Sequence, residues 1–269
     1  KSGLAIRLFG AMASADDELL RAACLDCINA WCTGTPSPSM LEGCSVLHVK
    51  LDGNYKNCTG VEYALPPGSS SAEAVIEMVR VLQTGSKSSA AVHARIGSHV
   101  SLWMVFLKEA QWKCISVAAA PPGEMTLPKD FEGISACVWD GYCKANRACD
   151  GKTMAEYFHE TCRLTFVDGT GSVVIIDSRQ FCNMVETRYT TPMHKDYAHL
   201  RDDPRVGSRD ALLSIDFGSL STPIAMVVLT VAHPPCLWTD LLTVAKLQGK
   251  WWIVHKSSVK DPFLEEEKK

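Results

Sequence analysis

The strongest constraint on the fold is an internal duplication, because both halves of the 269-residue chain carry the same order of features. Each half begins with helical periodicity, continues through a hairpin signal and a capped segment, and ends in runs rich in strand-forming residues. The paired prolines and glycine of APPGEMTLPKDF interrupt any regular element between the halves. The sequence therefore predicts two tandem domains, residues 1–122 and residues 123–269.

Cysteine spacing and a repeated string support the duplication. Cys32 and Cys44 in the first half match Cys149 and Cys162 in the second half to within one residue. The string GSKSSAAVHARIG, which starts at position 85, is similar to GSRDALLSIDFG, which starts at position 207. The first half lacks a clear counterpart of the last strand, unless LAIRLFGAM near the start of the sequence fills that edge.

The second half gives the clearer pattern of elements. Apolar residues at helical spacing over 131–146 predict an amphipathic helix. Asp177 and Gln180 form a capping pair that predicts the start of another helix, and Asp168-Gly169 is typical of a hairpin turn. Four strand-like runs follow position 211. Their connections are too short for parallel crossovers, so they should form an antiparallel meander.

In the first half, the same reasoning predicts a long helix followed by a short helical turn at 36–44. Asp52-Gly53 predicts a hairpin turn. Ser70 and Glu73 form a capping pair that predicts a helix over 72–85. Three strands should follow. Helices and antiparallel strands in separate blocks indicate an α+β fold in each domain.

Composition excludes several classes of partner. The formal charge of −3 and the scattered Lys and Arg residues lack the basic stripe that nucleic-acid binding requires. No apolar run approaches the ~20 residues that span a bilayer, so we expect no membrane association. Most of the 12 cysteines fall at apolar positions, which favours a reducing, cytoplasmic location. The sequence lacks an initiator Met, so we expect the true N-terminus to lie upstream.

Several motifs of the second half carry a family resemblance. They are Tyr157, Phe158, His159 and Cys162-Arg163-Leu164, then LLSID at 212, TDLLTVAKLQGKWWIV at 239 and the trailing HK. This order of motifs resembles the nuclear-transport-factor-2-like superfamily, and within it the lumazine-binding, polyketide-cyclase-like branch. The resemblance covers residues 131–262 well, and it reaches residues 14–120 only through the internal repeat. Gln248 replaces the acidic residue that usually stands in the closing hairpin.

The resemblance implies a fold and a range of functions. Each domain would be a cone-shaped α+β barrel, in which a strongly curved antiparallel sheet wraps around about three helices. Some members of the superfamily isomerise ketosteroids, dehydrate or cyclise polyketide-like substrates, or hydrolyse epoxides. Others only bind proteins or small molecules, so the fold does not determine the function.

The last two strands suggest a site. If Gln248-Gly249 is a two-residue turn, Leu242 lies opposite His255 and Asp240 lies opposite Ser257 on one face of the sheet. A carboxylate beside an imidazole can fix its tautomer and stabilise its charged form, as acid–base catalysis requires. We therefore predict Asp240 and His255 as catalytic residues.

Other residues should line the same pocket. Trp238, Leu242 and Ile253 belong to the predicted face, and the resemblance implies that Tyr142 and His159 point into the same space. Each of these side chains also has a plain structural reading, as a core residue or as a hydrogen-bonded histidine. His159 at a helix C-terminus would also interact favourably with the helix dipole.

Neither a metal nor a cofactor is predicted. Cys24, Cys27 and Cys32 lie in or next to one helix with no second pair of ligands, so buried free thiols are favoured over a zinc site. The leading hypothesis is a protein that binds a small apolar molecule in its second domain, with isomerase, dehydratase or cyclase-type proton transfer as an activity that the sequence leaves open. The alternative is a non-catalytic interaction or scaffold module. In both cases we expect a monomer whose two domains replace a homodimer as an internal pseudo-dimer.

Overall fold

The computed structural model describes residues 5–8, 15–50, 52–65, 69–84, 87–98, 100–108, 110–121, 127–167, 172–218 and 222–262. They divide into two compact units, each with one sheet. The first unit contains residues 1–125 with the short segments 217–225 and 245–249, and the second contains the remainder. The predicted boundary between residues 122 and 123 lies outside the described residues.

The first unit combines one long helix with a seven-stranded sheet. The helix is α1 (Ala15–Thr33), and the strands are β1 (Ala5–Leu8), β2 (Met40–Val49), β3 (Tyr55–Thr59), β4 (Ala74–Thr84), β5 (Lys87–Ile96), β6 (Val100–Lys108) and β7 (Trp112–Ala120). The sheet order is β1-β4-β5-β6-β7-β2-β3. The β2–β7 pair is parallel, and β1 pairs antiparallel with β4 at the sheet edge.

Helix α1 packs one apolar face into the core of this unit. Leu20, Cys24, Cys27, Ile28 and Trp31 are all buried and recur at helical spacing. The Nε1 atom of Trp31 donates a hydrogen bond to the carbonyl oxygen of Gly60 at 2.9 Å. Cys24 and Cys27 are therefore free thiols of the hydrophobic core, as predicted.

Two predictions for the first half are wrong. The segment 72–85 is mostly strand β4, and Ser70 caps only a 3₁₀ turn, Ser71–Glu73. Its Val and Ile residues favour an extended chain, which pairs with β5 along its whole length. The predicted helical turn at 36–44 is largely the start of β2 for a similar reason, because this segment pairs with β7.

The second unit places several short helices beside a six-stranded sheet. The helices are α2 (Leu127–Ser135), a π-helix (Ala136–Lys144), α3 (Ala145–Ala148), α4 (Gly151–Ala155), α5 (Ser178–Glu186) and α6 (Pro204–Gly207), with 3₁₀ turns at Arg188–Thr190 and Lys195–Leu200. The strands are β8 (Phe158–Val167), β9 (Val173–Asp177), β10 (Ala211–Asp216), β11 (Ile224–His233), β12 (Cys236–Leu247) and β13 (Lys250–Pro262). Their order is β10-β11-β12-β13-β8-β9, and β13 pairs with β8 in parallel.

The two sheets share one topology, which confirms the tandem α+β plan. The order β4-β5-β6-β7-β2-β3 corresponds strand for strand to β10-β11-β12-β13-β8-β9. The first sheet therefore already contains the counterpart of the last strand, and β1 is an additional edge strand. The predicted match between the strings at 85 and 207 is wrong by one strand. The strings lead into β5 and β10, but the counterpart of β5 is β11 and the counterpart of β10 is β4. Among the described residues of the first unit, no α-helix corresponds to α5.

Two helical predictions for the second half are confirmed. Residues 127–148 are continuously helical, and the apolar face that the sequence predicted there is buried. Asp177 and Gln180 form a reciprocal capping box at the start of α5. The Asp168-Gly169 turn lies outside the described residues, although β8 and β9 on either side of it pair antiparallel. None of the described helices combines the length and apolar character needed to cross a membrane.

Candidate functional site

The carboxylate of Asp240, on β12, is the centre of a polar cluster in the second unit. The phenol of Tyr142 donates a hydrogen bond to Asp240 Oδ2 at 2.6 Å. The ammonium group of Lys256 and the hydroxyl of Ser258, both on β13, donate to Asp240 Oδ1 at 2.5 Å and 2.7 Å. Lys256 also bonds Ser258. We call these four residues the Asp240 cluster.

The Asp240 cluster is removed from water. The side chain of Asp240 is 0% exposed and that of Lys256 is 5% exposed. Burying an ion pair usually costs more in lost hydration than the attraction returns, so such a pair is poorly explained by stability alone. Burial, and then the negative charge of Asp240, raises the pKa of Tyr142 well above its usual value. Tyr142 therefore stays protonated and acts as a hydrogen-bond donor.

A π-helix positions Tyr142 in this cluster. Ala136–Lys144 is nine residues long and interrupts the regular α-helical winding of 127–148. Segments of π-helix are rare and occur frequently at functional sites. The Tyr142 ring packs edge-on against Phe158, with 5.5 Å between ring centroids, and Phe181 lies 5.4 Å from Phe158. Aromatic rings therefore surround the phenol end of the cluster.

His255 does not join Asp240. The imidazole is fully buried, and both ring nitrogens lack a hydrogen-bond partner among the described residues. Burial, and then the positive charge of Lys256, lowers the pKa of His255 to about 3. Successive side chains of a strand point to opposite faces, so His255 faces away from the side on which Lys256 meets Asp240. The predicted pairing of Asp240 with His255 is wrong.

The error comes from strand register. The predicted turn is present, since Gln248 and Gly249 have φ values of 51° and 83°, as in a type I′ turn. Regular counting from this turn would place Asp240 opposite Ser257, but Asp240 bonds the side chains on either side of Ser257. A shift of one residue in the pairing of β12 with β13 would bring Asp240 onto the face of Lys256 and Ser258, because such a slip moves side chains to the other face.

A groove of about 480 Å³ opens on the second unit beside the cluster. Its residues come from α4, α5, β8 and β13, and they include Phe158, His159 and Trp252. The His159 ring lies edge-on to Trp252, with 5.5 Å between centroids, and its Nδ1 atom hydrogen-bonds Thr161 at 2.8 Å. Burial lowers the pKa of His159. Phe158 lines the groove and its ring also packs against Tyr142, so this part of the groove wall adjoins the Asp240 cluster.

The predicted pocket residues are distributed over several places. Of the five, His159 lines the groove, and Tyr142 belongs to the Asp240 cluster. Leu242 and Ile253 are fully buried core residues. Trp238 is partly buried, and its ring stacks on His233 with 5.7 Å between centroids.

Sequence reasoning missed Lys256, Ser258 and Trp252 as site residues. The regular count placed Lys256 and Trp252 on the opposite face from Asp240. One signal was available, because a lysine and two serines that closely follow the apolar run WWIV in the final strand need polar partners if they are buried.

The described residues contain no group of three His, Cys, Asp or Glu side chains that could hold a metal ion. The 12 cysteines are free thiols, and several of them are buried. Burial raises the pKa of Cys137 to about 12 and that of Cys182 to about 11. These two thiols are therefore protonated and poor nucleophiles near neutral pH.

Comparison with known proteins finds a similarity in the second half of the chain. Residues 129–257 match the model of a family described as "Putative lumazine-binding". A protein of unknown function from Shewanella baltica, described as NTF2-like, shares 16% identity, with a TM-score of 0.41 over 52% of this chain and 99% of its own. A similar protein from Silicibacter pomeroyi shares 22% identity, with a TM-score of 0.40 over 51% of this chain and 100% of its own. No curated protein matched.

Proposed function

We propose that the second unit, in which residues 129–257 match the model of the putative lumazine-binding family, binds a planar small molecule in the groove at Phe158 and Trp252. The observation that carries this proposal is the groove itself. Its volume of about 480 Å³ lies within the range typical of small-molecule sites.

The chemistry of the groove suits a flat ring system with polar edges. Phe158, His159 and Trp252 supply aromatic surface for stacking. Lys152, Arg179 and Asn183 supply hydrogen-bond donors, and Asn183 also supplies an acceptor. A lumazine, with its fused pyrimidine and pyrazine rings and two carbonyl groups, matches both requirements. Lumazine is therefore the first ligand to test.

A fluorescence titration with lumazine tests the proposal. Trp252→Leu should weaken binding by about fivefold to tenfold, because a stacked aromatic pair contributes about 1 kcal/mol beyond area burial. Trp139→Leu is a matched control, because Trp139 is also partly buried in the second unit but lines a different cavity, of about 350 Å³. Equal affinity in the wild type and in both variants would count against the groove.

The Asp240 cluster favours proton transfer as a second candidate function. A phenol, an ammonium group and a hydroxyl all donate to the one buried carboxylate of Asp240. If the carbonyl oxygen of a ligand replaces Asp240 Oδ2 as the acceptor of the Tyr142 hydroxyl, the freed carboxylate oxygen can take a proton from the α-carbon and return it to the γ-carbon while Tyr142 stabilises the enolate oxygen. The groove wall at Phe158 lies against Tyr142, so a ligand that displaces the Phe158 ring would reach the cluster.

Isomerisation of a β,γ-unsaturated cyclic ketone to its conjugated isomer, followed by ultraviolet absorbance, tests this second candidate. Tyr142→Phe keeps the ring and removes only the hydroxyl, so the fold should persist while turnover falls by about a hundredfold. Unchanged turnover in Tyr142→Phe, or no turnover by the wild type, would contradict proton transfer. Binding without turnover would leave the groove as a site of non-catalytic recognition.

A further inference from the structure

A second cluster of polar rings lies in the second unit, away from the groove. It contains His194, His233 and Trp238, and we call it the ring cluster. His194 lies between two 3₁₀ turns, His233 ends β11, and Trp238 lies near the start of β12. The centroids of His194 and His233 are 5.6 Å apart, and those of His233 and Trp238 are 5.7 Å apart in a stacked arrangement.

Each ring of the cluster has a buried nitrogen atom with no hydrogen-bond partner among the described residues. These atoms are Nε2 of His194, Nδ1 of His233 and Nε1 of Trp238. The indole Nε1–H group can only donate, and a neutral imidazole carries one donor and one acceptor. Buried polar atoms are normally paired, and an unpaired one costs stability. Three unpaired nitrogens on adjacent rings therefore indicate a missing hydrogen-bonding partner.

The charges around the ring cluster are positive. Burial, and then Arg188 and Lys260, lowers the pKa of His194 to about 4. Burial, and then Arg188 and His194, lowers the pKa of His233 well below its usual value. The Nζ atom of Lys260 lies 5.9 Å from the centroid of the Trp238 ring, and the Lys260 side chain is exposed. Among the described residues, no carboxylate contributes to the pKa shifts of these two histidines.

Unpaired donors beside unbalanced positive charge are what an oxyanion requires. We propose that the ring cluster binds the carboxylate or phosphate group of a small molecule. The indole N–H of Trp238 and, in its Nδ1–H tautomer, the imidazole of His233 donate to its oxygen atoms, and Lys260 supplies charge at the exposed side. A metal ion does not fit here, because an indole N–H has no lone pair to offer.

This proposal goes beyond the groove and does not depend on it. Trp238, His233 and His194 do not line the groove, and Trp252 is not part of the ring cluster. A variant of one site therefore leaves the other site unchanged. Failure of lumazine binding and failure of anion binding can be told apart.

The test is an NMR titration of the tryptophan indole signals in the full chain with inorganic phosphate and, separately, with benzoate. The Trp238 signal is assigned by its absence in Trp238→Phe, and sodium chloride at equal ionic strength is the control. A saturable shift of the Trp238 signal in the millimolar range, with the Trp252 signal unmoved, is the expected result. Tighter binding of phosphate than of benzoate identifies a phosphate group as the ligand of the ring cluster, and the reverse result identifies a carboxylate group.

Two variants complete the test. His233→Phe keeps an aromatic ring and removes both nitrogens, and it should weaken anion binding by about tenfold. His199→Ala, at an exposed position in the same loop as His194, should bind with wild-type affinity. The proposal is overturned if neither anion shifts the Trp238 signal, if chloride shifts it equally, or if His233→Phe binds as tightly as the wild type.

Discussion

At the scale of single residues, Asp240 and Lys256 depend on each other. The pair is buried, and Tyr142 and Ser258 complete the hydrogen bonds of the carboxylate. Removing one member of such a pair leaves an unpaired charge in the protein interior. Replacing both members with apolar groups of similar size removes that penalty.

This dependence gives a prediction for stability. Asp240→Leu should lower the free energy of unfolding by about 3–5 kcal/mol, because the Lys256 ammonium group would stay buried without its partner. The double variant Asp240→Leu with Lys256→Met should recover much of that loss. Urea unfolding of the two single variants and the double variant measures the coupling. Losses that simply add would show that the ion pair contributes nothing.

His255 gives a second prediction at this scale. Its replacement should raise the free energy of unfolding, whereas replacement of Asp240 should lower it. The histidine pKa falls from 6.5 to about 3 on folding, so between these values the unfolded chain binds more protons. This residue therefore reduces stability as the pH falls from about 6.5 toward 3. His255→Leu should raise the free energy of unfolding at neutral pH by roughly 1–3 kcal/mol, since two unpaired buried nitrogens disappear.

The pH dependence of the His255 variant provides the check. Its gain over the wild type should grow as the pH is lowered from 7 to 4 in urea unfolding experiments. His199→Ala, at an exposed position, should follow the wild-type curve. A variant that is less stable than the wild type at all pH values would show that the imidazole has a partner.

At the scale of elements, the sequence predicted the helix cap and the turn, which depend only on interactions between neighbouring residues. The capping box at Asp177 and Gln180 and the type I′ turn at Gln248-Gly249 involve neighbouring residues only, and both were predictable. The segment 72–85 has a helix-capping signal, yet pairing with β5 makes it a strand. The site prediction failed for a related reason, since the contacts of Asp240 with Lys256 and Ser258 depend on packing between strands, which a regular count from the turn does not capture.

The packing of the π-helix gives a prediction at this scale. A Cβ atom at Gly141 would lie 2.1 Å from Cγ of Tyr157, so the ring occupies the space of a side chain. Gly→Ala in a helix ordinarily stabilises by up to about 1 kcal/mol. Gly141→Ala should instead destabilise by about 1–3 kcal/mol through overpacking. Thermal unfolding followed by circular dichroism measures this.

A compensating variant makes that test specific. Gly141→Ala combined with Tyr157→Leu should recover part of the loss, because the smaller side chain makes room for the new methyl group. If Gly141→Ala alone stabilises the protein, the close contact between Gly141 and Tyr157 is not present in solution.

At the scale of the whole molecule, the duplication was the most reliable signal in the sequence. Both sheets have the same strand order, although the first unit contains a strand where a helix was expected. The family match covers residues 129–257, within the second half. We infer that a chain with two such domains acts as a monomer and binds its small molecule through the second domain.

Native mass spectrometry of the full chain with added lumazine is the decisive experiment. We expect a species of one 29.4 kDa chain with one bound lumazine, strongly reduced in Trp252→Leu and retained in Trp139→Leu. A ligand-free mass in the wild type, or equal adducts in all three proteins, would contradict it.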